Sequence, residues 1–212
     1  MPRTSAPTRA RLIAAAAAEF ADHGLAGARV DRIAAAAAAN KRAIYDYFGS
    51  KEGLFDAALI RVIGDLNDAV PLRPDDLPGY AAELFDYLLA HPAAVRMIAW
   101  RRLERPQAGP GLNGSYVEHM MAVRDQAGPA AIGPAAIGPA AIGPAAIGPA
   151  AIGPAAIGPV DLVVLVIGLA NAWHLSSADL LPAAGQDPAD PQRIALHRSA
   201  AVEAARRISG AS

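Results

Sequence analysis

Two short helical patterns, separated by a turn of small residues within Ala28–Lys51, constrain this chain more strongly than any other feature of its 212 residues. In the first pattern, apolar residues recur at helical spacing, at Val30, Ile33, Ala34 and Ala37. Small residues near Ala38–Ala39 then lead to Asn40, a residue type that favours the start of a helix. In the second pattern, Ile44 and Phe48 lie four residues apart and predict a buried face. We therefore expect two short helices joined by a tight turn.

The opposite arc of the second short helix carries Lys41, Arg42 and Tyr45. Lys and Arg donate to guanine edges and to phosphates, and Tyr both donates and packs, so such a helix suits the major groove of DNA. Taken alone, a charged arc is more often only a solvated helix surface. Residues 1–60 hold eight Lys and Arg against six Asp and Glu, a mild basic excess in a chain of net charge −1. Charge alone therefore does not decide between the two interpretations.

An aromatic-rich run closes the second short helix, where Ile44–Leu54 is IYDYFGSKEGL. This run, with the helices before it, resembles the helix-turn-helix of TetR-type (tetracycline-repressor family) transcriptional regulators, whose recognition helix ends in a similar run followed by Lys-Glu. The resemblance covers residues 8–66 with specific motifs and the remainder as an arrangement of helices. It implies an all-α fold, with an N-terminal three-helix helix-turn-helix domain and a C-terminal helical ligand-binding and dimerisation domain.

The resemblance also implies which side chains meet double-stranded operator DNA. Three are expected at bases or the nearby backbone: Lys41, Arg42 and Tyr45. Three are expected at phosphates: Arg29, Tyr47 and Lys51. Asp46 either accepts a hydrogen bond from a cytosine amine or only orients Arg42, and Ala43 is expected at a thymine methyl group.

Two places depart from the family pattern. Many relatives have a Thr or Ser that caps the second helix and touches phosphate, whereas this chain has Ala28 and Arg29, so we give the phosphate role to Arg29. Relatives usually have Gly-Val in the turn, whereas this chain has Ala38 and Ala39. An alanine held at positive φ costs about 1 kcal/mol. Either the turn is reshaped or the first of the two short helices is extended.

Capping residues and prolines divide the rest of the chain into predicted helices. Thr8 caps a first helix that ends at His23-Gly24, Ser50 caps a long helix, and prolines break the chain at Pro71–Pro78. Further helices are predicted over 80–90, 93–104, 116–123, 160–181 and 192–208. We assign a helix-turn-helix domain to residues 1–55, a regulatory and dimerisation domain to 56–127 and 160–212, and a linker to 128–159.

The linker contains six consecutive copies of GPAAI, at Gly128–Ile157. A proline every fifth residue removes an amide donor and clashes with the preceding turn, so no helix is expected there. The period fits no stacking repeat of about 20–50 residues. We interpret the segment as an apolar low-complexity linker, with an interaction tether or self-association as alternatives.

The composition excludes several classes of chemistry. Cysteine is absent, which rules out disulfides, thiolate catalysis and Cys-based metal sites, and a cytoplasmic protein is the simplest fit. The histidines show no metal-binding spacing, and no nucleophile-elbow, Walker or dinucleotide-binding motif is present. We predict neither an enzyme nor a metal or other cofactor. The most apolar run, Leu162–Ala170, is too short to span a bilayer and predicts a buried helix, so no membrane partner is expected.

The helix predicted after the repeat is apolar on nearly all sides, which predicts burial against a second copy of the chain. It and the final helix occupy the place where the family builds a four-helix homodimer interface. The resemblance also implies a small-molecule effector, and seven residues are candidates for its pocket: Tyr87, Met97, Trp100, Met120, Met121, Trp173 and His174. Residues of these types at helical spacing are more often plain core or interface.

These inferences together predict a ligand-responsive homodimeric repressor. Two alternatives stay open. The first is a ligand-binding or partner-binding helical dimer whose DNA-contacting helices have degenerated, as the Ala-rich turn and the long repeat suggest. The second is an all-α enzyme that uses the C-terminal domain, although no pair of acids or histidines is evident for it.

Overall fold

The computed structural model describes residues 6–106, 157–176 and 179–210. Every regular element in these ranges is a helix, which confirms the predicted all-α fold. In chain order the helices are α1 (Ala6–Gly27), α2 (Val30–Ala36), α3 (Lys41–Phe48), α4 (Lys51–Ala69), α5 (Leu77–Ala90), α6 (Pro92–Glu104), α7 (Pro159–Leu175), α8 (Leu180–Ala183) and α9 (Pro191–Ser209). The helix predicted over 116–123, residues 128–156 of the GPAAI segment, and the candidates Met120 and Met121 lie outside the described residues.

Side-chain caps fix the starts of α3 and α4 as the sequence predicted, whereas α1 begins at Ala6, before the predicted cap at Thr8. The Asn40 side chain accepts a hydrogen bond from the Arg42 amide at 2.9 Å, and the Ser50 hydroxyl accepts one from the Gly53 amide at 3.0 Å. Pro92 occupies the first turn of α6, where its missing amide donor costs nothing. The proline-rich break is shorter than expected, because α5 already begins at Leu77.

The described residues form two compact units. The first contains residues 6–69 and 88–106, and therefore holds α1–α4 and α6. Its centre is an edge-to-face pair of fully buried rings, Phe20 of α1 and Phe55 of α4, whose centroids lie 5.1 Å apart. Ile33 of α2 and Ile44 of α3 are buried in the same core. The two short helices thus pack on a rigid platform of longer ones.

The second unit contains residues 70–87, 157–176 and 179–210. In it α7 packs against α9, and each helix contributes small or β-branched residues that are buried: Val163, Val166 and Ala170 from α7, and Ala201 and Ala205 from α9. Residues of this size allow two helix backbones to approach closely. Arg198 of α9 also holds both carboxylate oxygens of Asp86 of α5 at 2.7 Å. This unit is built by long helices and their side-chain packing.

Gly24 is placed where another residue type is strained. Its φ is +67°, and a Cβ there would lie 2.9 Å from the Trp100 ring. Gly49 has a φ of +76° but has open space around it. We expect Gly24→Ala to lower the free energy of unfolding by about 1–3 kcal/mol more than Gly49→Ala, because only the first change adds overpacking to backbone strain. Urea denaturation of the two variants measures the difference, and equal losses would contradict the crowding at Gly24.

Candidate nucleic-acid interface

The entry into α2 is held by a carboxylate from α1. Arg29, the N-cap residue, has an extended backbone (φ −119°, ψ 121°) and its side chain makes no cap hydrogen bond. Its amide instead donates to the Glu19 carboxylate at 2.9 Å. Glu19 therefore binds the amide of the N-cap residue itself, as the acid of a capping box does, whereas a hydroxyl cap accepts from amides of the first helical turn. The Arg29 side chain stays exposed. Sequence reasoning missed Glu19 because its partner lies ten residues later in the chain.

Glu19 also fixes the first turn of α2 through Arg32. The Arg32 Nε atom donates to both carboxylate oxygens of Glu19, at 2.8 and 3.0 Å. This hydrogen bond is the main reason why the pKa of Glu19 lies below its ordinary value. The carboxylate is therefore charged at neutral pH and keeps both of its partners in place.

The turn between α2 and α3 contains a left-handed alanine. Ala38 has a φ of +47°, the only positive φ at a non-glycine position in the described part of the chain. The Ala39 amide donates back to the Ala34 carbonyl at 2.9 Å, and Arg11 of α1 donates to the Ala37 carbonyl at 3.0 Å. The sequence predicted that a reshaped turn or an extended helix would avoid this strain, but α2 ends at Ala36 and Ala38 adopts the positive φ. The contact from Arg11 of α1 helps to hold the turn.

Helix α3 has one buried side and one exposed side. Ile44 is fully buried, and Phe48 packs against the same core. Arg42 exposes 85% of its side chain, and Tyr45 is 46% exposed although it is a large aromatic residue. An exposed guanidinium and an exposed phenol on one helix are donors suited to base edges and phosphates.

Two acids accompany the basic residues of this face. Asp31 of α2 contacts the Lys41 ammonium at 2.9 Å, and the hydrogen bond raises the pKa of Lys41. Asp46 lies 3.8 Å from Arg42, one helical turn away. The second contact fits the expectation that Asp46 orients Arg42. All four side chains remain solvent-exposed, so each is accessible to a ligand.

The remaining predicted contact residues are less exposed. Ala43 and Tyr47 are partly buried against the core of the first unit. The Lys51 ammonium donates to the Ala26 carbonyl at 3.2 Å, in the turn before α2, and has two further protons to donate. The structure thus brings Arg29, Lys41, Arg42, Tyr45 and Asp46 to the surface of the two short helices and their entry. The roles of Ala43, Tyr47 and Lys51 stay predictions.

One basic residue beside α3 was not singled out in the sequence. The Arg9 guanidinium lies over the Phe48 ring, 5.4 Å from its centroid. Stacking on an aromatic face leaves the guanidinium edges free to donate to an anion. Arg9 therefore adds a cation beside the end of α3. No local motif signalled it, because the contact joins two helices that are distant in sequence.

The described pocket candidates are divided between the two units: Met97 and Trp100 belong to the first, and Tyr87, Trp173 and His174 belong to the second. Met97 is fully buried in the core of the first unit, and the Trp100 indole N–H donates to the Ala21 carbonyl of α1 at 3.2 Å. Trp173 and His174 lie on α7, in the second unit. There the His174 ring lies 5.6 Å from the Phe85 ring, and its Nε2 atom is buried without a hydrogen-bond partner among the described residues.

The imidazoles of His174 and His197 are the groups from which we expect pH dependence in the second unit. Burial lowers the pKa of both imidazoles below the ordinary value of 6.5. Below that pH the unfolded chain binds more protons than the folded chain, so stability falls as the pH decreases. We expect the urea midpoint to fall between pH 7.5 and pH 5.5, and to fall less in a His174→Gln, His197→Gln variant. The same pH dependence in both proteins would contradict this assignment.

Across residues 6–106, 157–176 and 179–210, no group of three or more His, Asp or Glu side chains is placed to hold a metal ion. Among the described helices, none combines the length and the apolar character needed to cross a bilayer.

Comparison with known proteins matches two segments of the chain to tetracycline-repressor-type models. Residues 12–58 match the model of bacterial regulatory proteins of the tetR family, and residues 76–132 match that of the tetracyclin repressor-like C-terminal domain. The transcriptional repressor SCO4008 of Streptomyces coelicolor is 46% identical over 122 residues, 56% of this chain and 64% of that protein. The repressor NicS of Pseudomonas putida is 32% identical over 127 residues, 57% of this chain and 58% of that protein. The matched segments thus span less than two thirds of either relative.

A solved structure extends the similarity over nearly the whole chain. The crystal structure of transcriptional regulator SCO4942 from Streptomyces coelicolor superposes with a TM-score of 0.67 at 35% identity, covering 94% of this chain and 96% of that one. A TetR-like regulator from Rhodococcus, 17% identical with a TM-score of 0.56, shares the fold. The first family model covers both α2 and α3. This chain belongs to the tetR family of bacterial regulatory proteins.

Proposed function

We propose that this protein is a sequence-specific DNA-binding transcriptional repressor. The observation that carries the proposal is the division of α3, whose Ile44 is fully buried while Arg42 and Tyr45 are exposed on the other side. α2 and α3, with the turn between them, form the DNA reader (Val30–Phe48). In it α3 enters the major groove, and Arg42, Tyr45 and Lys41 contact bases or the nearby backbone. Arg29 and Lys51 contact phosphates from the two ends of the reader.

The regulatory direction is supported by the relatives. SCO4008 and NicS are both named as transcriptional repressors. We extend that role to this chain, which acts by occupying an operator and so blocking transcription. Such a protein works where the chromosome is, in the cytoplasm.

Homodimer formation is supported by the surfaces of α7 and α9. Val164 and Leu165 of α7 are about half exposed, and Leu196 of α9 is 66% exposed. Large apolar side chains on two adjacent helices are typical of a surface that is covered in the assembled protein. Two copies joined there present two DNA readers, and such a dimer recognises an operator with two-fold symmetry.

A small-molecule effector completes the proposal. Its binding in the second unit biases the dimer toward an arrangement of readers that does not match successive major grooves. Trp173 and His174 are the candidate residues on α7, and the unpartnered Nε2 of His174 supports a role in holding a polar group. Met97 and Trp100 are better explained by their packing in the first unit.

The two alternatives are weaker. A degenerated DNA reader is opposed by the ordered Asn40 cap and by the exposed Arg42 and Tyr45. An enzyme is opposed by membership in a family of regulatory proteins.

Fluorescence anisotropy of the full chain tests the proposed function. The titrations use duplex DNA from the region upstream of its own gene, unrelated genomic fragments, and a series of salt concentrations. We expect binding to at least one natural duplex to be about 1,000-fold tighter than binding to a shuffled duplex, with affinity falling steeply as salt increases. Equal affinity for all natural and shuffled duplexes would favour the degenerated reader.

A further inference from the structure

One row of side chains on helix α6 contacts the end of α1. Arg96, Trp100 and Glu104 follow one another at intervals of four residues, so they lie on one face of the helix. Arg96 and Trp100 both donate to the Ala21 carbonyl, at 3.1 and 3.2 Å. Arg96 also forms an ion pair of 2.9 Å with Asp22. Helix α6 is thus attached to α1 near its kink at Gly24.

The third residue of the row reaches beyond the kink. The Glu104 carboxylate accepts hydrogen bonds from the backbone amides of Leu25 at 2.5 Å and of Ala26 at 3.3 Å. At Gly24 the backbone leaves the helical conformation (φ 67°, ψ −179°), so these amides cannot all donate along a regular helix. The carboxylate from α6 supplies the missing acceptor. A charged acceptor makes a stronger hydrogen bond than a neutral carbonyl.

The segment that Glu104 holds is the entry to the DNA reader. Both backbone polar groups of Ala26 are hydrogen-bonded to side chains. Its amide donates to Glu104 and its carbonyl accepts from Lys51. Ala28, two residues later, is buried in the core, and Arg29 then begins α2. Any displacement of Leu25 and Ala26 therefore moves the start of α2.

Glu104 is itself held in place from a second direction. Arg105, the next residue, forms an ion pair of 3.0 Å with Asp56 of α4, and both side chains are largely buried. The end of α6 is thus fixed to α4 while its carboxylate is fixed to the turn before α2. A side chain with this anchorage can set the position of the segment that it binds.

We propose that Glu104 is a positioning residue for DNA recognition, which acts on bases only through the turn at Leu25–Ala26 and the orientation of α2 and α3. This inference rests on the proposed function. It extends that function because it assigns part of the selectivity to a residue far from the recognition helix in sequence. The alternative is that Glu104 contributes only to the stability of the first unit.

Three variants separate positioning from stability: Glu104→Ala, Glu104→Gln and Asp65→Asn. Alanine removes the acceptor, whereas glutamine keeps one oxygen that accepts from an amide. Asp65→Asn is the control, because it removes one carboxylate charge from an exposed ion pair with Arg61 on α4. For each variant we measure the urea midpoint and the ratio of affinities for the duplex preferred by the wild type and a shuffled duplex. Amide hydrogen exchange of residues 28–39 is measured without DNA.

We expect the affinity ratio to fall about tenfold in Glu104→Ala, by less in Glu104→Gln, and to stay unchanged in Asp65→Asn, since the loss of a charged hydrogen bond has about this effect. Exchange in residues 28–39 should quicken in the same order. If Glu104→Ala is too unstable to study, Glu104→Gln is expected to show the same two changes, a lower affinity ratio and faster exchange, but smaller in size.

An affinity ratio and exchange rates equal to those of the wild type would overturn the inference, even if the urea midpoint fell. This outcome differs from failure of the proposed function. If the wild type itself had no preferred duplex, the proposed function would fail, and the exchange rates alone would decide whether Glu104 positions α2.

Discussion

Replacing Arg42 and Tyr45 together with alanine is expected to weaken binding to the preferred duplex by about 100-fold or more, because each side chain that contacts a base contributes about 1–3 kcal/mol of discrimination. Both side chains project from α3 into solvent, so their removal leaves the packing of Ile44 intact. Affinity for a shuffled duplex should change much less. Anisotropy titrations with the two duplexes measure both effects.

Arg61→Ala is the matched control for the loss of charge. Arg61 is exposed on α4 and pairs with Asp65, away from the DNA reader. Its removal should leave the preference for the duplex in place. If the control lost as much affinity as the double variant, net charge would account for binding and the role assigned to α3 would be wrong.

Replacing Phe55 with alanine is expected to lower the free energy of unfolding by about 3–5 kcal/mol, the cost typical of deleting a fully buried aromatic side chain. Phe55 has no exposed surface, and its ring packs edge to face on Phe20 at 5.1 Å. The change removes apolar contacts and leaves a cavity between α1 and α4. Urea denaturation of the full chain measures the loss.

Ile60→Ala on the same helix provides the comparison. Ile60 is 52% exposed, so its truncation should cost under about 1 kcal/mol. Similar losses in the two variants would contradict the view that the Phe20–Phe55 pair is the centre of the platform beneath the DNA reader.

The DNA reader could be predicted from the sequence because its signals are local. The cap at Asn40, the spacing of Ile44 and Phe48, and the arc of Arg42 and Tyr45 all lie within nine residues, and each is observed. The sequence also pointed to the cost of a positive φ in this turn, although it predicted a reshaped turn or an extended helix and Ala38 instead adopts a φ of +47°. Local chemistry of this kind is visible without a structure.

The supports of the DNA reader could not be predicted in this way. Glu19 of α1 binds the Arg29 amide at the start of α2, and Glu104 binds amides that lie 78 and 79 residues earlier in the chain. Such contacts depend on how helices pack, and an isolated glutamate in a helical pattern carries no signal of its partner. The contacts of Glu104 form only because α6 packs on α1.

Helix α6 shows that the packing partners of apolar residues are equally hard to predict from sequence. Its spacing predicted a helix over 93–104, and the structure has Pro92–Glu104. Periodicity indicates that Met97 and Trp100 are buried, but it does not name the surface that covers them. The sequence therefore placed them with a ligand pocket, whereas they pack in the unit that holds the DNA reader.

Selection of duplexes from a random-sequence pool by the purified full chain tests the central claim most directly, because it requires no assumption about the operator. After several rounds with the wild-type protein, the account predicts enrichment of one sequence with two-fold symmetry, and no enrichment with the Arg42→Ala, Tyr45→Ala variant. A wild-type pool that stays random at low salt, where phosphate contacts are strongest, would contradict the claim that this protein reads DNA sequence.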